Sequence, residues 1–112
     1  KPEIFQLNDK IYSDNNPEQR AYAEKLMNNA IGRWGELRIK MFDKPVGPHP
    51  MPMFEIDIPQ NYPKFSDIVS WIMVNHGNLS ALLHPHTGQS LLDHTRHPLW
   101  LGQPVPLDIT KL

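Results

Sequence analysis

A proline-rich segment, Lys44 to Pro52, restricts the fold of this chain more than any other feature. It contains four prolines, and each proline lacks a backbone N–H and has a nearly fixed φ angle. Such a segment cannot join a regular helix or a central strand of a sheet. We therefore expect an irregular connection here, with regular structure before and after it.

Three patterns before this segment predict a strand, a helix and a second strand. Apolar residues over 4–12 favour a first strand. The turn cluster at 13–16 supplies a helix N-cap, and Pro17 suits the first turn of the helix that follows. We expect Gly32 to end this helix and a half-buried strand to follow over 37–41. The predicted buried face of the helix consists of Ala23, Met27, Ala30 and Ile31.

Three further elements are predicted after the segment. Alternation over 53–58 predicts a strand, and an apolar run over 79–83 favours a buried strand. The apolar residues between them have the i, i+3, i+4, i+7, i+8 spacing of an amphipathic helix that ends at Gly77. These residues are Phe65, Ile68, Val69, Ile72 and Met73.

The predicted order is β-α-β-β-α-β, followed by an irregular tail from His84 onward. This order is typical of an α+β, ferredoxin-like fold with two helices on one face of an antiparallel sheet. We expect a single domain over residues 1–112. The sheet face without helices needs a cover, so we expect a homodimer.

Composition excludes several classes of function. The formal net charge is −1, so no basic surface is expected to attract nucleic acid or anionic membranes. The absence of cysteine excludes disulfides, thiolate catalysis and iron–sulfur clusters. The longest apolar stretch, 68–74, is too short to cross a bilayer, and no signal-peptide pattern is present. We expect a cytoplasmic protein.

The six histidines are the main candidates for chemistry, because imidazole binds metals and accepts protons near neutral pH. His49 is held between two prolines, His84 follows an apolar run, and His94 stands beside Asp93. His84 and His86 would share a face if their strand continued through Pro85. Taken singly, each histidine is better explained as a structural or solvated residue than as a catalytic one, and no compact metal motif is present.

Four segments together resemble the signatures of the DOPA 4,5-dioxygenase family. They are 44–50 (KPVGPHP), 83–88 (LHPHTG), 93–95 (DHT) and 100–102 (WLG), and 16–19 and 36–39 are also similar to fungal-type members. The resemblance implies a small ferredoxin-like dimer that opens catechol rings next to the diol with Fe(II) and O₂. DOPA or a related catechol is the substrate that it implies.

The resemblance also implies a site. His49, His84 and His94 match the family's recurrent histidines, and they are the expected catalytic and metal-binding residues. Lys10 stands where the family's first strand carries a histidine, and an ammonium cannot bind iron. Glu55 or Asp93 remains open as a carboxylate ligand, each with a plain surface or turn role as the alternative. The alternative function is a catalytically inactive dimeric relative that binds a small aromatic ligand or a metal.

Overall fold

The computed structural model describes residues 6–13 and 16–112, and five strands and three helices lie within this part of the chain. The strands are β1 (Gln6–Tyr12), β2 (Arg38–Phe42), β3 (Met53–Pro59), β4 (Ser80–His86) and β5 (Leu99–Leu101). The helices are α1 (Pro17–Trp34), α2 (Phe65–Asn75) and α3 (Ser90–Thr95), and a 3₁₀ turn follows at Ile109–Lys111. Ile4 and Phe5 of the predicted first strand, and Asp14 and Asn15 of the predicted turn, lie outside the described residues.

The strands form one antiparallel sheet in the order β2-β3-β1-β4-β5. β3 lies between β1 and β2, and β1 lies between β3 and β4, which is the split β-α-β arrangement. The predicted α+β, ferredoxin-like architecture is therefore confirmed. None of the helices in the described ranges has the length and apolar character needed to cross a membrane.

The main core lies between one face of the sheet and helices α1 and α2. Trp34 of α1 and Trp71 of α2 meet edge to face, with ring centroids 5.3 Å apart. Burial of these large apolar side chains is the main force that holds the helices to the sheet. The fully buried residues of this layer include Ile11, Phe54, Ile56 and Ala81 from the strands and Ala23, Ala30, Ile68 and Ile72 from the helices.

Helix α1 begins as predicted but ends later. The Asn16 side chain caps it by accepting a hydrogen bond from the Glu18 N–H at 2.8 Å, and Pro17 occupies the first turn. The prediction that Gly32 ends the helix is wrong. Trp34 is buried against Trp71, and this packing outweighs the roughly 1 kcal/mol that a glycine costs inside a helix.

The buried stripes of the helices also differ in part from the prediction. Residues 23, 26, 30 and 34 form the buried stripe of α1, so Ile31 turns outward and is 43% exposed. Met73 of α2 is likewise 57% exposed, whereas Ile68 and Ile72 are buried. Both helices keep the predicted 3.6-residue period. The buried face of α1 is rotated toward Leu26 and Trp34, which were not predicted, and that of α2 is narrower than predicted.

The tail after His84 is more regular than predicted. Strand β4 continues to His86, and it is followed by α3 and by β5. Because β5 pairs only with Ala81–Leu83, β4 is an edge strand beyond that point, where a proline such as Pro85 is tolerated. The expectation of an irregular tail from His84 is therefore wrong for 84–101.

The chain itself covers part of the sheet face opposite α1 and α2. Tyr12, Met53, Leu82 and Val105 form a second apolar cluster there, and the Trp100 ring stacks on Tyr12 with centroids 5.9 Å apart. The Asp108 N–H donates to the Pro48 carbonyl at 2.8 Å, which joins the C-terminal residues to the proline-rich segment. The chain thus covers by itself part of the sheet face for which we expected a second protomer. The homodimer stays a prediction.

Candidate active site

The three histidines predicted as site residues converge on this second face of the sheet. The ring centroids of His84 and His94 are 4.3 Å apart, and those of His49 and His94 are 5.7 Å apart. His84 belongs to β4, His94 to α3, and His49 to the proline-rich segment. Residues from three separate parts of the sequence therefore form one cluster, with His94 in contact with both other rings.

A tight turn in the proline-rich segment positions His49. The His49 N–H donates to the Val46 carbonyl at 3.0 Å, and Gly47 between them has a φ of 53°, a conformation that favours glycine. The Nδ1 atom of His49 lies 2.7 Å from the Tyr12 hydroxyl. This hydrogen bond holds the ring of His49 above the face of β1 that is opposite α1 and α2. The His49 side chain is 6% exposed.

The Nδ1 atoms of the other two rings are bonded to backbone carbonyls. His84 Nδ1 lies 3.1 Å from the Pro85 carbonyl oxygen, and His94 Nδ1 lies 2.8 Å from that of Ser90. A carbonyl only accepts hydrogen bonds, so Nδ1–H is the donor in both rings and Nε2 is the acceptor. The tyrosine hydroxyl next to His49 is compatible with either tautomer.

The Nε2 atom of His84 is buried and has no hydrogen-bond partner among the described residues. An unpaired buried polar atom is costly, and it points to a ligand, a metal or a water molecule that completes the site. Histidines that bind metals use one ring nitrogen while the other donates to a carbonyl or carboxylate. His84 and His94 have this arrangement.

Burial keeps two of these imidazoles neutral. Burial, together with a smaller contribution from the Lys10 ammonium, lowers the pKa of His49 to about 3. The pKa of His84 is also lowered to about 3, mainly by burial. Neutral imidazole is the form that binds metals, so both side chains are in this form across the physiological pH range.

A buried ion pair lies beside the histidines. Lys10 of β1 and Glu55 of β3 are register partners, and the Lys10 ammonium pairs with Glu55 Oε2. The other carboxylate oxygen of Glu55 accepts from Arg38 at 2.9 Å, and Arg38 also pairs with Asp57 at 2.7 Å. Two cations and two anions thus form a neutral chain across three strands.

A second polar chain continues from Asp57 to the histidines. The amide nitrogen of Asn8 donates to Asp57, and the amide oxygen of Asn8 bonds with His86 Nε2. His86 shares the face of His84, with ring centroids 5.1 Å apart, as expected for a strand that continues through Pro85. The charged network therefore borders the histidine cluster on two sides.

Neither carboxylate suggested as a ligand is free. Asp93 accepts from the Thr87 N–H at 2.8 Å and from the Thr87 hydroxyl at 2.6 Å, and it also bonds with His97. Glu55 is shared between Lys10 and Arg38. Within residues 6–13 and 16–112, no group of three or more His, Asp or Glu side chains has the spacing of a formed metal site.

The sequence did not lead us to Tyr12, and it gave His86 only as a conditional neighbour of His84. Period-two alternation from Lys10 places Tyr12 on the same sheet face. Lys10 was treated only as a departure from the family pattern, whereas its side chain is 8% exposed and pairs with Glu55 on the sheet face that carries the histidines.

Comparisons with known proteins agree with this architecture. The Dopa 4,5-dioxygenase family profile matches residues 9–111. A crystal structure of a proposed dioxygenase from Nostoc punctiforme superimposes with a TM-score of 0.83 at 33% identity, covering 96% of this chain and 90% of that one.

Two curated fungal proteins are also similar in sequence. An uncharacterised 21.2 kDa protein from Botryotinia fuckeliana is 38% identical over 105 residues, which is 85% of this chain and 56% of that protein. The DOPA 4,5-dioxygenase of Amanita muscaria is 38% identical over 68 residues, which is 61% of this chain and 29% of that enzyme. This chain therefore spans about half or less of each of these relatives. The match over residues 9–111 shows that the chain belongs to the Dopa 4,5-dioxygenase family.

Proposed function

We propose that this chain is an extradiol ring-cleaving dioxygenase that acts on DOPA or a related catechol with Fe(II) and O₂. The observation that carries the proposal is the convergence of His49, His84 and His94, where the buried Nε2 of His84 has no partner in the part of the chain that the structure describes. Membership of a dioxygenase family supports an oxygenase activity, and the donor chemistry of the cluster supports the metal.

The residues fit non-haem iron in donor type. Imidazole is a good ligand for Fe(II), and the Nδ1 hydrogen bonds of His84 and His94 leave Nε2 as the ligating atom. His49, His84 and His94 would hold the ion. Bound Fe(II) would supply open coordination positions for the two catechol oxygens and for O₂.

The surrounding side chains orient these histidines and limit access of water. The Tyr12 hydroxyl restrains the ring of His49, and the Thr87 and His97 contacts of Asp93 tie α3, which carries His94, to the end of β4. Tyr12, Met53 and Leu82 form an apolar border beside the cluster. A dry, preorganised pocket strengthens electrostatic interactions with a bound substrate.

Oxygen uptake tests this proposal directly. Purified protein is reconstituted anaerobically with Fe(II), and L-DOPA and simpler catechols are then offered in aerated buffer. We expect catechol-dependent uptake and a yellow ring-opened product. His84→Ala should abolish turnover and keep the fold, whereas His76→Ala, outside the cluster, should keep activity. Unchanged activity of His84→Ala would remove His84 from the site.

A second candidate function is a non-catalytic relative that binds a small aromatic ligand or a metal. The observation in its favour is the Lys10–Glu55 pair beside the histidines, together with the lack of a formed metal site within the described residues. Such a protein would show saturable catechol binding, measured as protection against thermal unfolding. It would show no oxygen uptake with any catechol.

A homodimer and a cytoplasmic location complete the proposal. Leu99 on the edge strand β5 is 64% exposed, and an unpaired edge is a surface on which a second copy can dock. Sedimentation at several protein concentrations tests the dimer. A monomer at all concentrations would contradict it.

A further inference from the structure

The Lys10 ammonium is a buried cation whose N–H donors are not all used within the described residues. Its side chain is 8% exposed, and Glu55 is its partner among the described residues. An ammonium has three N–H donors, and Glu55 accepts one of them. Its register neighbour on β4 is Leu82, which has no polar side-chain atom. Part of the hydrogen-bonding capacity of this buried cation is therefore unused among the described residues.

This cation lies on the same face of the sheet as the histidine cluster. Lys10 pairs with Leu82 and Asn8 pairs with His84, so Lys10 and His84 are diagonal neighbours whose side chains point to the same side. A ligand that binds to the cluster therefore lies near the Lys10 ammonium.

Within the described residues, the carboxylate that contacts Lys10 is shared with a second cation. The carboxylate of Glu55 is divided between Lys10 and Arg38, with one oxygen for each. Arg38 has a second partner in Asp57, whereas Lys10 has none within the described residues. An anionic oxygen placed near Lys10 would gain both a charge-assisted hydrogen bond and a low-dielectric ion pair.

We propose that Lys10 is a substrate-binding residue that takes an ionised phenolic oxygen of the catechol and so selects the singly deprotonated ligand. The proposal rests on the proposed function for its substrate class. On binding, the catechol O–H bond breaks, the oxygen keeps the electron pair, and the proton passes to the buffer. This binding needs no metal, which allows a test that is independent of turnover.

The test uses 4-nitrocatechol as the probe, because its absorption moves to longer wavelength when a phenolic proton is lost. The protein is freed of metal with a chelator and titrated with the probe at a pH where the free probe is mostly protonated. We expect saturable binding with the spectrum of the phenolate. Lys10→Met should raise Kd at least tenfold and lose that spectrum, whereas Lys10→Arg should keep the phenolate spectrum.

The matched variant is Glu55→Gln, which keeps the side-chain volume and an oxygen that accepts from Lys10. Because it removes the negative charge that competes for Lys10, it should bind the probe at least as tightly as the unmodified protein. If Lys10 acted only as the structural partner of Glu55, both variants would weaken binding alike. That result would overturn the proposal.

Two further outcomes bear on it. Unaltered Kd and spectrum in Lys10→Met, or no saturable binding to the unmodified metal-free protein, would also overturn it. If Lys10→Met does not fold, the double variant Lys10→Met/Glu55→Met removes both charges and replaces it in the titration. The iron-loaded unmodified protein could take up no oxygen while the metal-free protein still binds the phenolate. That result would refute the proposed function and leave the role of Lys10 intact.

Discussion

The buried Lys10–Glu55 pair yields the sharpest stability prediction. Both side chains are at most 10% exposed, so removal of either one leaves the other as a buried charge. Such a loss costs about 3–5 kcal/mol of unfolding free energy. Lys10→Met should lie near the lower end, about 3 kcal/mol, because Glu55 keeps Arg38 as a second partner. Glu55→Met should lie near 5 kcal/mol, roughly the upper end, because Lys10 keeps no partner among the described residues.

The double variant Lys10→Met/Glu55→Met tests whether the two charges are coupled. Replacing both ions with methionine removes the desolvation cost together with the attraction, and such replacements are often neutral or stabilising. We expect the double variant to unfold within about 1 kcal/mol of the unmodified protein. Urea titrations followed by tryptophan fluorescence measure all three, and the exposed Lys40, whose ammonium lies 5.0 Å from the Phe42 ring centroid, supplies Lys40→Met as a control.

Two results would refute this account. One is a Lys10→Met variant that costs no more than Lys40→Met. The other is a double variant whose loss equals the two single losses added together, since that would mean that the two charges are not coupled.

Two other changes test the site through different properties. Lys10→His should raise affinity for Fe(II), because it replaces a cation with a neutral donor beside His84. Anaerobic metal titration of the apoprotein measures this affinity. Equal affinity would show that the metal site is built without this position. Tyr12→Phe removes the hydroxyl that contacts His49 Nδ1. It should cost about 1–2 kcal/mol of unfolding free energy, measured in urea, and it should lower oxygen uptake. Unchanged stability and uptake would mean that the hydroxyl does not orient His49.

The order of elements was predictable because helices and strands each have a characteristic spacing of apolar residues in the sequence. Alternation over 53–58 and the helical spacing of Phe65, Ile68 and Ile72 correspond to β3 and α2. The end of α1 was not predictable, because it depends on contact between Trp34 and Trp71, which are 37 positions apart in the sequence. Local patterns cannot contain such a contact.

The site was predictable only in part for a similar reason. Resemblance to a family selected His49, His84 and His94, and the structure brings them together. It did not show that Asp93 is held by Thr87 and His97, because these bonds depend on how α3 folds back. Nor did it show that Lys10 is buried on the sheet face that carries the histidines, since a charged residue in an alternating strand is normally a solvated one.

The segment after His84 does more for the site than its sequence suggested. It supplies His94 on α3, the Trp100 ring that stacks on Tyr12, and Val105 of the second apolar cluster. Its Asp108 N–H also holds Pro48, the residue before His49. Two of the three histidines therefore depend on contacts made by this segment, since it carries His94 and anchors His49. The six-element fold supplies the sheet that carries His84, and the residues that follow it complete the cluster of three histidines.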